Sequence, residues 1–175
     1  VITAGRMTAG EAVMIQGASS GVGLMGMQIA REMGAKLVVG SSTNAERRAR
    51  LCEFGADLAV DSTDEAWVQQ VLDATDGKGV DLIVDQISGY AANQNLAATA
   101  ILGRIVNVGR LGGFTGEFDF DLHALRRIDY IGVSFRSRSI EEIRVVVNRM
   151  RVDLWDMVEA GKLSLPIDSE YSLDD

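Results

Sequence analysis

Gly17-Ala18-Ser19-Ser20-Gly21-Val22-Gly23 is the stretch whose residue types and spacing can do chemistry. It stands between an apolar run, Ala12-Val13-Met14-Ile15-Gln16, and an amphipathic stretch carrying Leu24, Met27, Gln28, Ile29 and Met33. That context reads as a turn from a strand into a helix. A pyrophosphate set there meets the unpaired amides of Gly21, Val22, Gly23 and Leu24 at the positive end of the helix. Glycine at 21 and 23 lets backbone approach phosphate, and helix approach sheet, with no Cβ in the way. Glycine also serves in merely structural turns; the strand-turn-helix context favours a dinucleotide over that reading.

A second discriminator lies after the next apolar run, Leu37-Val38-Val39. An acid about 20 residues past the glycines accepts from the ribose hydroxyls of NAD. Here the residues are Gly40-Ser41-Ser42-Thr43-Asn44, with no acid, followed by Arg47 and Arg48. Hydroxyls and a guanidinium suit a 2′-phosphate, which a carboxylate would repel. The charge pattern therefore favours NADPH over NADH, against the alternative of a solvated basic helix face to which Arg50 also belongs.

The elements that position these residues repeat along the chain. Gly34 stops the first helix where a left-handed turn is cheap only for glycine. Thr43-Asn44-Ala45-Glu46 reads as a capping box for a second helix ended by Gly55. Leu58-Ala59-Val60 is a strand, Ser62-Thr63-Asp64-Glu65 caps a helix to about Thr75, and Val80 to Val84 is a strand. A helix over Tyr90–Thr99, a strand over Arg104–Val108 and a strand over Tyr130–Phe135 follow. Ser139-Ile140-Glu141-Glu142 caps a long helix reaching Ala160 before Gly161. This alternation predicts an α/β fold: a doubly wound parallel sheet of the Rossmann type, in three layers.

Composition narrows the partners. The chain has 175 residues, 47% of them hydrophobic, which fits one domain with a substantial core. A formal charge of -8 argues against nucleic acid, whose phosphates need a basic face. No apolar run approaches membrane-spanning length and the N-terminus lacks a signal-peptide pattern, so no membrane partner is expected. One cysteine, Cys52, and one histidine, His123, leave too few soft ligands for a metal centre built from this chain alone. The free thiol and acidic composition fit a cytoplasmic location. The missing initial Met suggests a piece of a longer protein.

Gly-Ala-Ser-Ser-Gly-Val-Gly with Met27-Gln28-Ile29-Ala30 and Gly34-Ala35-Lys36 resembles the medium-chain dehydrogenase/reductase superfamily, and within it the quinone oxidoreductase branch. Phe54-Gly55-Ala56-Asp57, Gly79 to Asp85, Gly103 to Gly109, Gly161-Lys162-Leu163 and Tyr171 to Asp175 extend the likeness over essentially the whole chain. The resemblance implies the nucleotide-binding domain alone (12–165). Residues 1–11 would end a connecting segment from an N-terminal catalytic domain, and 166–175 would begin the return to it. It implies hydride transfer from NADPH to a quinone or an α,β-unsaturated carbonyl, and no catalytic or metal-ligating residue within this stretch.

Carried over by position, Ser19, Ser20, Gly21, Val22 and Gly23 would cradle the pyrophosphate. Ser41, Ser42, Asn44 and Arg47 would surround the 2′-phosphate, and Gln86-Ile87-Ser88, after the fourth strand, would meet adenosine or ribose. Gly109, Arg110 and Leu111 would line the ribose and nicotinamide region, while Ser134, Phe135 and Arg136 would approach the carboxamide. The resemblance also implies a homodimer through the edge strand Tyr130–Phe135. Two departures stand out. Ser62 replaces a tyrosine that some quinone reductases place by the 2′-phosphate, and Ala18 and Ser20 replace glycines of the zinc alcohol dehydrogenase pattern.

Short-chain dehydrogenases fit the same glycine spacing but need a tyrosine with a lysine four residues on, to lower the phenol pKa. Gln94, Ser134 and Asp175 follow Tyr90, Tyr130 and Tyr171 at that spacing, so this rival lacks its chemistry. The cofactor half of a zinc alcohol dehydrogenase, or a non-catalytic nucleotide-binding module, remain as alternatives. Asp81 and Asp85 read as strand ends at solvent, Cys52 as a core or boundary residue, and the methionines as core filling.

Overall fold

The computed structural model describes residues 1–172; Leu173, Asp174 and Asp175, the end of the expected return segment, lie outside the described residues. Strands and helices alternate as β1 (Ala12–Gln16), α1 (Gly21–Glu32), β2 (Leu37–Ser41), α2 (Ala45–Ala49), β3 (Leu58–Val60), α3 (Trp67–Asp73), β4 (Val80–Asp85), α4 (Ala92–Ala98), β5 (Thr99–Asn107), α5 (Phe120–Arg126), β6 (Asp129–Gly132) and α6 (Ile140–Glu159). The six strands form one sheet in the order β3-β2-β1-β4-β5-β6, parallel in every pairing. This is the doubly wound Rossmann arrangement, and its order reverses between β1 and β4.

Both faces of the sheet are covered, which is why its central strands are apolar without alternation. Val13, Ile15, Val38, Leu82 and Val106 pack with Leu24 and Met27 of α1 on one face. Met14, Val39, Ile83 and Ile105 pack with Trp67, Val71 and Leu96 on the other. Each such side chain contributes roughly 1.5–3 kcal/mol by leaving water. The two clusters fix α1 and α4 to opposite faces at the carboxyl ends of β1 and β4.

Several element ends differ from the sequence expectation for local reasons. Asn44, not Thr43, caps α2, accepting from the Arg47 amide at 2.9 Å. The second helix is split: α2 gives way to a tight 3-10 turn over Leu51–Phe54, closed by Gly55 at φ 95°. The expected capping box at Ser62 is absent because Asp61 accepts from the Thr63 amide and hydroxyl, and Asp64 from the Ala66 amide. Those turns hold the chain until α3 begins at Trp67 without a side-chain cap. Strand β5 begins at Thr99, five residues before Arg104. Strand β6 stops at Gly132, short of Phe135. The Ser139–Glu142 capping box of α6 is present with both of its bonds.

Candidate functional site

The mouth of the β1–α1 turn is built by close packing. Gly17 sits at φ 72°, and a Cβ on Gly23 would meet the Ala18 backbone at 2.6 Å. Only glycine lets helix and turn approach so closely. Ser20 caps α1: its hydroxyl accepts from the Gly23 amide at 3.1 Å, and its carbonyl accepts from the Leu24 amide at 2.8 Å. The amides of Gly21 and Val22 then have no partner among the described residues. A Cβ on Gly21 would find nothing nearer than Leu165 at 3.9 Å, so the backbone there is open. Two free amides, one of them on an open glycine, at a helix N-terminus fit a bound phosphate.

At the end of β2 the two arginines take different paths. Arg48 donates to the Ser42 carbonyl at 2.7 Å and pairs with Asp61 at 2.9 Å. The Asp61 carboxyl is held below the usual carboxylate range, chiefly by Thr63 and then by Arg48. Arg47 is exposed and has no ion pair among the described residues. Ser42 joins this end to the turn by donating to the Ser19 hydroxyl at 3.0 Å. Ser19, Ser42, Asn44 and Arg47 thus lie along one stretch of rim.

Ser41 and Gln86 sit beneath that rim, both buried. The Ser41 hydroxyl accepts from the Gly17 amide at 3.0 Å and donates to Gln16 Oε1 at 2.5 Å. Gln86 donates from Nε2 to the Gln16 and Gly17 carbonyls, both at 3.2 Å, and its Oε1 accepts from Ser20 at 2.9 Å. Gln16 in turn donates to Asn95 of α4 at 2.7 Å. These side chains hold the turn from below and are spent on it. They form a rung one layer under the strand ends, a position that residue type alone did not reveal.

The rung continues into β4 and β5. Asp85, expected at solvent, is fully buried; it faces the same side of the sheet as Gln16, its partner in register. Burial pushes its carboxyl up, and the amides of Ser88 and Ile87, the Ser88 hydroxyl and Asn95 offset this only in part. Asp81, by contrast, lies at the opposite strand end, where it accepts from the Ala12 amide at 2.8 Å.

Beyond β5 and β6 the candidates spread out. A cavity of about 700 Å³ opens between α1, α6, the N-terminal residues and the ends of β4, β5 and β6, lined among others by Val22, Val108, Val133, Phe135, Arg138 and Leu165. A second, of about 410 Å³, is lined by Arg110, Ser134, Arg138 and Glu142. Gly109 lies against Gln86, whose carbonyl a Cβ would meet at 2.6 Å. Leu111 is exposed at the loop surface. Arg136 donates its amide to Ser134 at 3.1 Å and lines neither cavity. Arg138 does, with its guanidinium 5.7 Å from the Phe135 ring centre; a turn from Phe135 to Arg138 brings it back, which spacing could not show.

The described residues offer a zinc ion no ligand set. No group of three or more His, Cys, Asp or Glu side chains converges among the described residues. Cys52 is exposed, correcting its expected place in the core or at its boundary, and His123 packs on the Phe118 ring. Nor, among the described residues, is any helix long and apolar enough to cross a membrane.

Residues 21–151 match the family model for zinc-binding dehydrogenases. The mycocerosic acid synthase-like polyketide synthase of Mycolicibacterium smegmatis is 26% identical over 174 residues, 97% of this chain and 8% of that protein. The chain spans 3–8% of the curated relatives it matches first. The solved structure of AibC superposes with a TM-score of 0.81 at 27% identity, over 97% of this chain and 44% of the other. A chain described as the enoyl reductase domain of a polyketide synthase superposes with a TM-score of 0.76 at 24% identity, over 95% and 91% of the two chains. The match along three quarters of its length, together with the sheet order and the glycine mouth, decides the assignment. This chain belongs to the zinc-binding dehydrogenase family of oxidoreductases, and carries the Rossmann-type domain with which that family binds nicotinamide cofactors.

Proposed function

We propose that this domain binds NADPH as the cofactor half of a zinc-independent medium-chain reductase, presenting it to an α,β-unsaturated carbonyl. The bound cofactor supplies a hydride to the β-carbon of the acceptor. The relatives described as polyketide synthases favour an enoyl group as acceptor over a quinone. The observation that carries the reading is the pairing of two open amides at α1 with a free guanidinium at Arg47. No carboxylate lies between Gly40 and Asn44 to repel a 2′-phosphate.

In this reading the Gly21 and Val22 amides hold the pyrophosphate, and Ser42, Asn44 and Arg47 hold the 2′-phosphate. Ser41 and Gln86 act by holding the turn rather than by touching the cofactor. Val108, Val133 and Phe135 exclude water from the nicotinamide face, with Arg110 and Ser134 in the second cavity and Gly109, Leu111 and Arg136 on the loops around it. Residues 1–11 and 166–175 join the domain to a substrate-facing domain of a longer polypeptide. Strand β6, at the sheet edge, pairs with its copy in a homodimer; a monomer in sedimentation at micromolar concentration contradicts that pairing.

Calorimetric titration with NADPH and NADH tests the cofactor. Arg47→Glu should weaken NADPH about tenfold or more, the loss of one charge-assisted contact plus a repulsion, and leave NADH within about twofold. Equal losses remove the 2′-phosphate assignment, and no binding of either by the unmodified chain removes the cofactor.

A further inference from the structure

Ser88 is the residue on which the two halves of the crevice are joined. Its backbone sits at φ 55° and ψ -144°, a region close to glycine-only that costs on the order of 1–3 kcal/mol. The Ser88 amide donates to Asp85 Oδ1 at 2.9 Å, beside the Ile87 amide at 2.8 Å. Its hydroxyl accepts from Asn107 Nδ2 and lies 2.8 Å from the Gly109 carbonyl and 3.2 Å from Asp85 Oδ2. The surrounding bonds thus hold an otherwise costly conformation in place.

The same turn dictates where the chain goes after β5. The Asp85 carbonyl accepts from the amides of Val108 at 2.7 Å and Gly109 at 3.1 Å. Leu111 and Gly112 donate to the carbonyls of Gln86 at 3.1 Å and Ile87 at 2.7 Å. Gln86, two residues before Ser88, grips the glycine turn of β1. In a doubly wound sheet the adenosine half lies over β1–β3 and the other half over β4–β6. Position of the far loop relative to the pyrophosphate mouth is therefore transmitted through Gln86 and Ser88.

We propose that Ser88 is a positioning residue for the nicotinamide half of the cofactor: its hydroxyl ties the Gly109 carbonyl, and with it the β5 loop, to the turn that carries Gln86. This rests on the NADPH reading above. The test measures the affinity of the whole chain for two ligands: NADPH, through its nicotinamide fluorescence, and adenosine 2′,5′-bisphosphate, through calorimetry. Ser88→Ala should weaken NADPH about tenfold and leave the bisphosphate within about twofold. Ser88→Gly, which accepts the backbone conformation without strain but lacks the hydroxyl, should show the same selective loss. Equal loss for both ligands, no loss in Ser88→Ala, or wild-type NADPH affinity in Ser88→Gly overturns the assignment alone. An unmodified chain that binds neither ligand overturns the proposed function together with it.

Discussion

The two halves of the crevice are built on the same sheet but braced to different degrees. Over β1 and β2, the glycine turn is tied from below by Ser41, Gln86 and Ser20, and sideways by Ser42 to Ser19. Over β5 and β6, the loop bases are fixed by Asp85 and Ser88, but the tips stand free. Leu111, Phe114 and Phe135 are 76%, 85% and 61% exposed. Backbone donors that meet a phosphate gain by being rigid beforehand, because ordering them on binding would cost affinity. Apolar tips left in water are suited to closing against a further surface. One half is braced before anything binds, and the other leaves apolar tips in water.

The comparison is tested hardest at two glycines. A Cβ at Gly23 strikes the Ala18 backbone at 2.6 Å, whereas a Cβ at Gly132 has nothing within 4 Å. Gly23→Ala should cost roughly 2–3 kcal/mol through overpacking, lowering Tm by about 4–12 °C. The same change should cut NADPH affinity sharply. Gly132→Ala should move Tm by about 1 °C at most. Equal tolerance at both sites in thermal unfolding would erase the difference between the halves.

A pair of serines gives a smaller contrast. Ser41→Ala strands the Gly17 amide and Gln16 Oε1 in a buried layer, which should cost roughly 1–3 kcal/mol. Ser134 only accepts from the Arg136 amide in an exposed turn, so Ser134→Ala should stay within about 0.5 kcal/mol. Urea unfolding of the two variants gives both numbers. A Ser41→Ala as mild as Ser134→Ala would mean that the turn holds its shape without the rung.

The difference between the halves also explains what could be read in advance. The parallel sheet and the glycine mouth are legible because glycine spacing and apolar runs are local signals. Asn44 displaced Thr43 as a cap, and Asp61 and Asp64 displaced the Ser62 box, because neighbouring polar side chains compete for the same amides. The rung of Gln16, Ser41, Asp85 and Asn107 was not legible. Its members come from four strands far apart in sequence, and only register sets them side by side. Asp85 looked like a strand end at solvent; in the fold the Ile87–Ser88 turn closes over it and Asn95 of α4 reaches it, and neither carries a mark of that role in the sequence. Arg136 and Arg138 are alike as sequence, and a turn decides which of them reaches the cavity.

The smallest effect concerns the charge of Asp85, and its sign is the informative part. Burial raises its pKa in the folded chain, so the folded state binds the proton more tightly than the unfolded one. Its contribution to stability is then fully present below the ordinary carboxylate range and is lost as pH rises through the folded value. At neutral pH the ionised form is a cost that the fold carries. Asp85→Asn keeps an oxygen to accept from the Ile87 and Ser88 amides, and adds an N–H that can donate to the Ser88 hydroxyl. That leaves the Ser88 proton free for Gly109, the side-chain bond from this turn to the β5 loop. Asp85→Asn should therefore raise Tm at pH 7–8, by less than Gly23→Ala lowers it, and the gain should shrink as pH falls through the folded value and vanish only below the ordinary carboxylate range of about 4, where the carboxyl is protonated in both states. A loss of stability at neutral pH would mean that the carboxylate is stabilised where it lies, and that the joint between the halves depends on its charge.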